Sequence, residues 1–183
     1  MPVEQIVQSA WWGNVALVAC TVVYLAWWAV TFRPENTSPL WLKVVLFVPT
    51  AALGLVGAWQ LVMAFAPAQA ANLPFAIGAV VAYVALLVIT RVAFKRQVTS
   101  ELFLICLWAG MECALVNTLV LCGTWDGGVA VAAYVLVGVM SVAALASYLA
   151  YDRLKPWPAF YVAMVPLALI GITCLVLAVL VGT

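Results

Sequence analysis

Apolar residues fall into six long blocks along the chain, and each block ends in a short cluster of Pro, Gly, Asn or charged residues. Crossing the hydrocarbon core of a bilayer as a helix takes roughly 20 apolar residues. The blocks near residues 10–32, 41–65, 73–94, 101–122, 129–151 and 158–181 meet that length. The stretches between them, "FRPENTSP", "APAQAANLP", "FKRQVTS", "CGTWDGG" and "YDRLKPWP", hold the residue types that punctuate helices. The pattern predicts one all-α integral membrane domain over residues 1–183, a bundle of six transmembrane helices.

Composition strengthens that expectation. The 183 residues are 69% hydrophobic and 7% charged, against about 25% charged in soluble domains. A chain of this size cannot hide so much apolar surface in a core of its own, so its solvent is lipid. A formal net charge of +1 argues against a nucleic-acid partner. There is no histidine, which removes the commonest metal ligand and the usual haem ligand. Cys20, Cys106, Cys113, Cys122 and Cys174 form no C-x-x-C pair and read as small packing residues. No metal and no cofactor are expected. The start "MPVEQ" lacks the basic region of a cleaved signal peptide.

Charge placement predicts an orientation. Arg33 and Lys43 flank the first connection, Arg91, Lys95 and Arg96 the third, and Arg153 and Lys155 lie in the fifth. The second and fourth connections and both termini hold no Lys or Arg, so all seven basic residues fall on one side. The positive-inside rule makes that side cytoplasmic and puts both termini on the extracytoplasmic side. In a prokaryote that membrane would be the plasma (cytoplasmic) membrane. Trp11, Trp12, Trp41, Trp125 and Trp157 lie near predicted helix ends and read as an aromatic interface belt, with Trp27 and Trp28 on its inner side. Trp59 and Trp108 lie deeper and read as packing or pocket-wall residues. "NTS" at Asn36 matches a glycosylation acceptor, but the topology places it in the cytoplasm, so the match is read as chance.

A repeat emerges on closer comparison. "FVPTAALGLVG" (47–57) resembles "MVPLALIGITC" (164–174); both carry Val-Pro and then Gly five residues after the Pro. "YLAWWAVTFRP" (24–34) and "YLAYDRLKP" (148–156) precede them at corresponding places, whereas "YVALLVITR" (83–91) has no matching Pro. The likeness is read either as helical hairpins repeated in one orientation or as the chance resemblance that apolar segments readily show. Spans 1–3 do not match spans 4–6, which speaks against an inverted-repeat transporter. Pro49 and Pro166 each free a carbonyl four residues back, those of Val45 and Val162. They are read either as tolerated kinks or as hinges facing a cavity.

Little catalytic chemistry is available. No phosphate-binding loop, nucleophile elbow or H-E-x-x-H occurs, so an enzyme is not expected. Glu112 is the main clue. It lies about 11 residues from either end of its span, roughly 16 Å deep, where a charge costs at least about 2.5–3.5 kcal/mol. No Lys or Arg is predicted at that level; Arg91 is near the inner end of span 3. Glu112 should therefore be protonated, face water or hold a cation. Glu101, Ile105, Trp108, Glu112 and Leu119 share one helix face, with Glu101 at the inner mouth. Cys106, Gly110, Cys113 and Asn117 form an adjacent small or polar stripe, which places span 4 inside the bundle. Candidate substrate- or ion-binding residues are Glu112, Trp108, Asn117, Tyr24 and Tyr83; Glu101, Arg91, Pro49 and Pro166 are candidates for gating or the inner mouth. Tyr134, Ser141, Thr21, Gln60 and Thr173 also lie within spans.

Three functions compete. The first is a small transporter or channel for a solute or ion, with Glu112 as the proton, cation or substrate site. The second is a non-catalytic membrane subunit or regulator in which Glu112 is neutral glue between helices, with a membrane-protein partner or a second copy beside it. The third, lacking a base or metal beside the acid, is an intramembrane enzyme or quinone-binding anchor.

Overall fold

Nearly all of the chain is α-helix: α1 (Val3–Phe32), α2 (Leu40–Phe65), α3 (Gln69–Val92), α4 (Ser100–Leu121), α5 (Gly127–Ala150) and α6 (Pro156–Gly182). The structure, a computed structural model, describes residues 2–35, 37–95 and 100–183, and no strand occurs among them. Asn36, where the acceptor triplet begins, and Arg96 lie outside the described residues. Five helical stretches are long and apolar enough to cross a membrane. One of them, Leu40–Val92, is 53 residues long and holds α2 and α3 joined by a single 3-10 turn at Ala66–Ala68. The apolar helices fit an integral, multi-pass membrane protein in contact with lipid.

Local chemistry sets the helix ends. Arg33 precedes Pro34 and takes an extended ψ of 133° where α1 stops, as a residue before proline prefers. Pro156 opens α6, where its missing N–H costs nothing. Gly123 closes α4 at φ 72°, with its N–H donating to Val120 O and that of Thr124 to Leu119 O, the Schellman arrangement. Asp126 then caps α5 through Val129 N–H at 2.8 Å.

Two starts come earlier than the hydrophobic blocks indicate. Helix α1 begins at Val3, not near 10, because its first turns still bury Ile6 and Ala10 in the main apolar cluster. Helix α3 begins at Gln69, not near 73. Pro74 falls in its second turn, and the Asn72 side chain reaches back to donate to Phe65 O at 3.1 Å.

Packing follows the small residues. Helix α1 runs antiparallel to α2, with Gly13 against Leu61 and Gly57 against Leu17, and antiparallel to α6, with Gly171 against Thr21 and Gly182 against Trp11. The two similar Pro-Gly stretches therefore flank α1 at neighbouring positions: Gly54 faces Cys20 and Gly171 faces Thr21. Helix α3 runs antiparallel to α4, with Asn72 beside Thr118 and Tyr83 against Phe103. Helix α4 carries the most buried residues and lies at the heart of the structure. At the opposite end of the bundle, Arg33 stacks over Trp157 at 5.6 Å and Arg153 over Phe94 at 5.8 Å.

Two tryptophans depart from the sequence reading. Trp59 is 64% exposed and faces outward, so it is neither packing nor a pocket wall. Trp125, placed in the interface belt by sequence, is buried in the main cluster, because the capped turn between α4 and α5 folds it inward.

The glycine contacts yield a direct expectation. A Cβ on Gly171 would lie 2.7 Å from Thr21 Cγ2, and one on Gly110 would lie 2.7 Å from Ala79 Cβ. Thr21 cannot turn away freely, since its hydroxyl donates to Leu17 O at 2.9 Å. Gly171→Ala and Gly110→Leu should each lower stability by about 1–3 kcal/mol. Gly138→Ala meets open space and should be neutral or stabilising by up to about 1 kcal/mol through helix propensity. Thermal unfolding of the three variants in detergent checks this; equal melting temperatures would mean that the close contacts do not carry the packing.

Candidate functional site

Four side chains from three helices meet around the buried acid Glu112. Helix α4 supplies Glu112 and, one turn earlier, Trp108; α1 supplies Asn14; α6 supplies Cys174. Glu112, Asn14 and Cys174 are 0% exposed and Trp108 is 4% exposed. The Cys174 thiol donates to Glu112 Oε1 at 3.7 Å, a weak bond of sulfur type. The Asn14 amide nitrogen donates to Ala10 O at 3.1 Å.

The rest of the cluster is unsatisfied. Glu112 Oε2, Asn14 Oδ1 and Trp108 Nε1 are buried without a well-formed hydrogen bond. Asn14 and Trp108 nonetheless lie close enough to interact with the carboxyl. Two acceptors and one N–H donor thus converge where partners are obligatory, since an unmade bond costs about 1–3 kcal/mol per group. A neutral carboxyl offers one O–H to an acceptor, and Asn14 Oδ1 is an acceptor lacking a donor. A carboxylate would instead draw on the Trp108 indole N–H, the Cys174 thiol and the second N–H of the Asn14 amide, or on an entering water or cation.

The remaining sequence candidates are dispersed. Asn117 is on α4 but bonds to α3, through Asn72 Oδ1 at 2.8 Å and Ala71 O at 3.3 Å. Asn72 in turn donates to Thr118 Oγ1 at 2.9 Å. This clasp ties the α2–α3 turn to α4 and is separate from the carboxyl cluster. Tyr24 packs with Trp27 and Trp28 at centroid distances of 5.2 and 6.3 Å, and Glu101 lies near enough to act on it electrostatically. Tyr83 meets Phe103 edge-on at 5.4 Å. Arg91 is exposed in the last turn of α3. Pro49 is half-buried within α2 and Pro166 is buried within α6, and both helices continue through them. Thr21, Ser141 and Thr173 bond carbonyls four residues back in their own helices, those of Leu17, Val137 and Leu169.

Glu112 and Trp108 are therefore the two candidates that the fold joins in the buried cluster. Asn14 and Cys174 complete the cluster and escape sequence reasoning. A span starting near residue 10 puts Asn14 close to the membrane surface. The helix starting at Val3 puts it eleven residues in, roughly 16 Å along the axis, level with the acid. Cys174 carries no signal beyond being small. Two grooves of about 380 and 300 Å³ flank the contact of α3 with α4, and Glu112 lines neither of them.

No protein-family model, curated protein or solved structure matches the chain.

Proposed function

We propose that the protein is a small membrane transporter or channel in which Glu112 takes up and releases a proton, or a cation in its place, midway across the bilayer. The observation that carries this reading is the convergence of Glu112 Oε2, Asn14 Oδ1 and Trp108 Nε1, all buried and all short of a partner. With the proton on, Glu112 O–H donates to Asn14 Oδ1 while the amide nitrogen stays on Ala10 O. With the proton off, the carboxylate accepts from the Trp108 indole N–H and from the second N–H of the Asn14 amide, whose other N–H stays on Ala10 O. These donors offset part of the cost of a charge at this depth and make ionisation accessible. Because Asn14 is on α1 and Cys174 on α6, the protonation state is felt by both helices that pack on α4's partners.

The topology belongs to the same proposal. A continuous helix of 53 residues would extend about 80 Å, far beyond the roughly 30 Å hydrocarbon core. The 3-10 turn at Ala66–Ala68 therefore reverses the chain, α2 and α3 cross separately, and six crossings result. The one-sided Lys and Arg favour termini outside. The two cation–π contacts support this by gathering the first, third and fifth connections at one end. With native cysteines replaced, Thr37→Cys should resist an impermeant thiol reagent added outside intact cells, and Gln69→Cys should react. The reverse labelling would invert the orientation.

A second reading, a non-catalytic subunit of a membrane complex, is favoured by the closed packing around Glu112. Proteoliposomes of the purified chain with a trapped pH-sensitive dye separate the two. Under an imposed pH step the wild-type protein should dissipate the gradient. Glu112→Gln, which keeps shape and cannot ionise, should fold normally and slow the dissipation roughly tenfold, the factor for ~1.4 kcal/mol on the limiting barrier. Asn14→Leu should slow it as well. Equal fluxes in wild type and Glu112→Gln would end the proton-carrier reading, and a normal fold for Gln with loss of stability for Glu112→Leu would leave the acid as neutral glue.

A further inference from the structure

The buried acid has unlike surroundings on its two sides along the bundle. Helix α4 runs from the end that carries Arg33, Arg91 and Arg153 toward the end that carries both termini. On the side of the termini the Glu112 cluster is sealed. Ala10 and Ile6 lie beyond Asn14 on α1 and are both buried. Leu115 and Leu119 on α4 and Leu177 on α6 are 0% exposed and belong to the same apolar cluster. Trp125, folded inward, packs into that cluster at its end. A path opened here would bring water onto fully buried leucine side chains, which the hydrophobic effect opposes.

Toward the basic end polar groups recur. The face of α1 that presents Asn14 presents Thr21 and Trp28 at successive intervals of seven residues, nearly two helical turns each. Thr21 is buried and Tyr24 and Trp28 are half-buried, so enclosure loosens step by step. Trp28 Nε1 is a buried donor without a partner. Tyr24 follows Thr21 by one turn and lies near Glu101, which is half-buried in the first turn of α4. At Thr21, α6 contributes only the backbone of Gly171. Parting α1 from α6 at this level uncovers a threonine and a peptide rather than leucines. The buried apolar residues nearby, Leu102, Ile105 and Ala144, form a separate, smaller cluster with Tyr148 between α4 and α5.

We propose that Glu112 exchanges its proton with the aqueous side that bears the basic residues, by way of water, Thr21, Tyr24 and Glu101, while the side of the termini stays sealed. The inference rests on Glu112 being the proton site. A proton leaving the Glu112 O–H passes to water entering over the roughly 10 Å between Asn14 and Thr21. The Thr21 and Tyr24 hydroxyls each accept one proton and give up their own. The charge ends on Glu101 or in the bulk, one proton there for each one lost by Glu112. The ionisable groups that act on Glu112 are Cys174 of α6 and Cys113 beside it on α4, with Tyr134 of α5 next to Cys113. Those around Tyr24 are Cys20 and Glu101. None of these is a cation, so none opposes a proton on the path.

The test uses the purified full chain in sealed vesicles, inserted in one orientation as established by labelling of Gln69→Cys. Infrared difference spectra follow the C=O stretching band of the protonated acid, assigned by its absence in Glu112→Gln. The band should follow the pH on the side of the basic residues and ignore the pH on the side of the termini. After a pH step on the responsive side, Thr21→Val should slow the change roughly tenfold, the factor for ~1.4 kcal/mol on the limiting barrier. Thr21→Ser, which keeps the hydroxyl, should restore the rate. Tyr24→Phe should slow it as well, and it takes the place of Thr21→Val if that variant does not fold. A band that follows the side of the termini, or both sides equally, would overturn the inference and leave Glu112 as a proton site. Equal rates in wild type, Thr21→Val and Tyr24→Phe would overturn the route. A band that responds to neither side would remove the proton reading itself, and this inference with it.

Discussion

In the interior of a bilayer no water is at hand to complete a hydrogen bond, and most of the polar groups described within the helices are arranged around that constraint. The backbone meets it by staying helical through nearly the whole sequence. Hydroxyls meet it locally: Thr21, Thr50, Thr90, Thr118, Ser141, Ser147 and Thr173 each donate to a carbonyl four residues back. Such bonds ask nothing of neighbouring helices, so the helices associate by shape instead. That is why glycines mark the tightest approaches, with Gly13 and Gly57 between α1 and α2 and Gly171 between α6 and α1. Threonine contributes twice at Thr21, where the hydroxyl is tied down and the methyl packs on Gly171.

The same constraint explains what the sequence makes legible. Helix existence follows from apolar length and from Pro, Gly and charge at the breaks, because those residues act on the backbone directly. The Schellman closure at Gly123 and the Asp126 cap are written in adjacent residues. The buried face of α4, with Ile105, Trp108, Glu112 and Leu119, follows from helical spacing alone. Lateral pairing does not follow, because apolar faces in lipid carry no contrast between inside and outside. Trp59 illustrates this, since an indole far from a helix end turns outward as readily as Trp108 turns inward. Asn14 and Cys174 reach Glu112 through the packing of α1 and α6 around α4, a three-body relation that no local window of sequence encodes.

Two polar clusters lie inside the bundle, and the comparison between them decides which is structural. In the Asn72, Asn117 and Thr118 clasp every side chain makes a hydrogen bond of 2.8–2.9 Å to another member, and Thr118 and Asn72 also hold backbone carbonyls. A network so closed resists change: protonation cannot alter it, and rearrangement would break several bonds at once. It fixes the α2–α3 turn against α4. The cluster around Glu112 is its opposite. It contains an ionisable group, a weak thiol bond at 3.7 Å and three polar atoms short of partners. Each available way of completing it, a proton on Glu112, a second N–H from the Asn14 amide, a water or a cation, yields a different arrangement of the same four side chains. Helix α4 thus carries a closed hydrogen-bonded network toward α3 and an ionisable, incompletely bonded cluster toward α1 and α6.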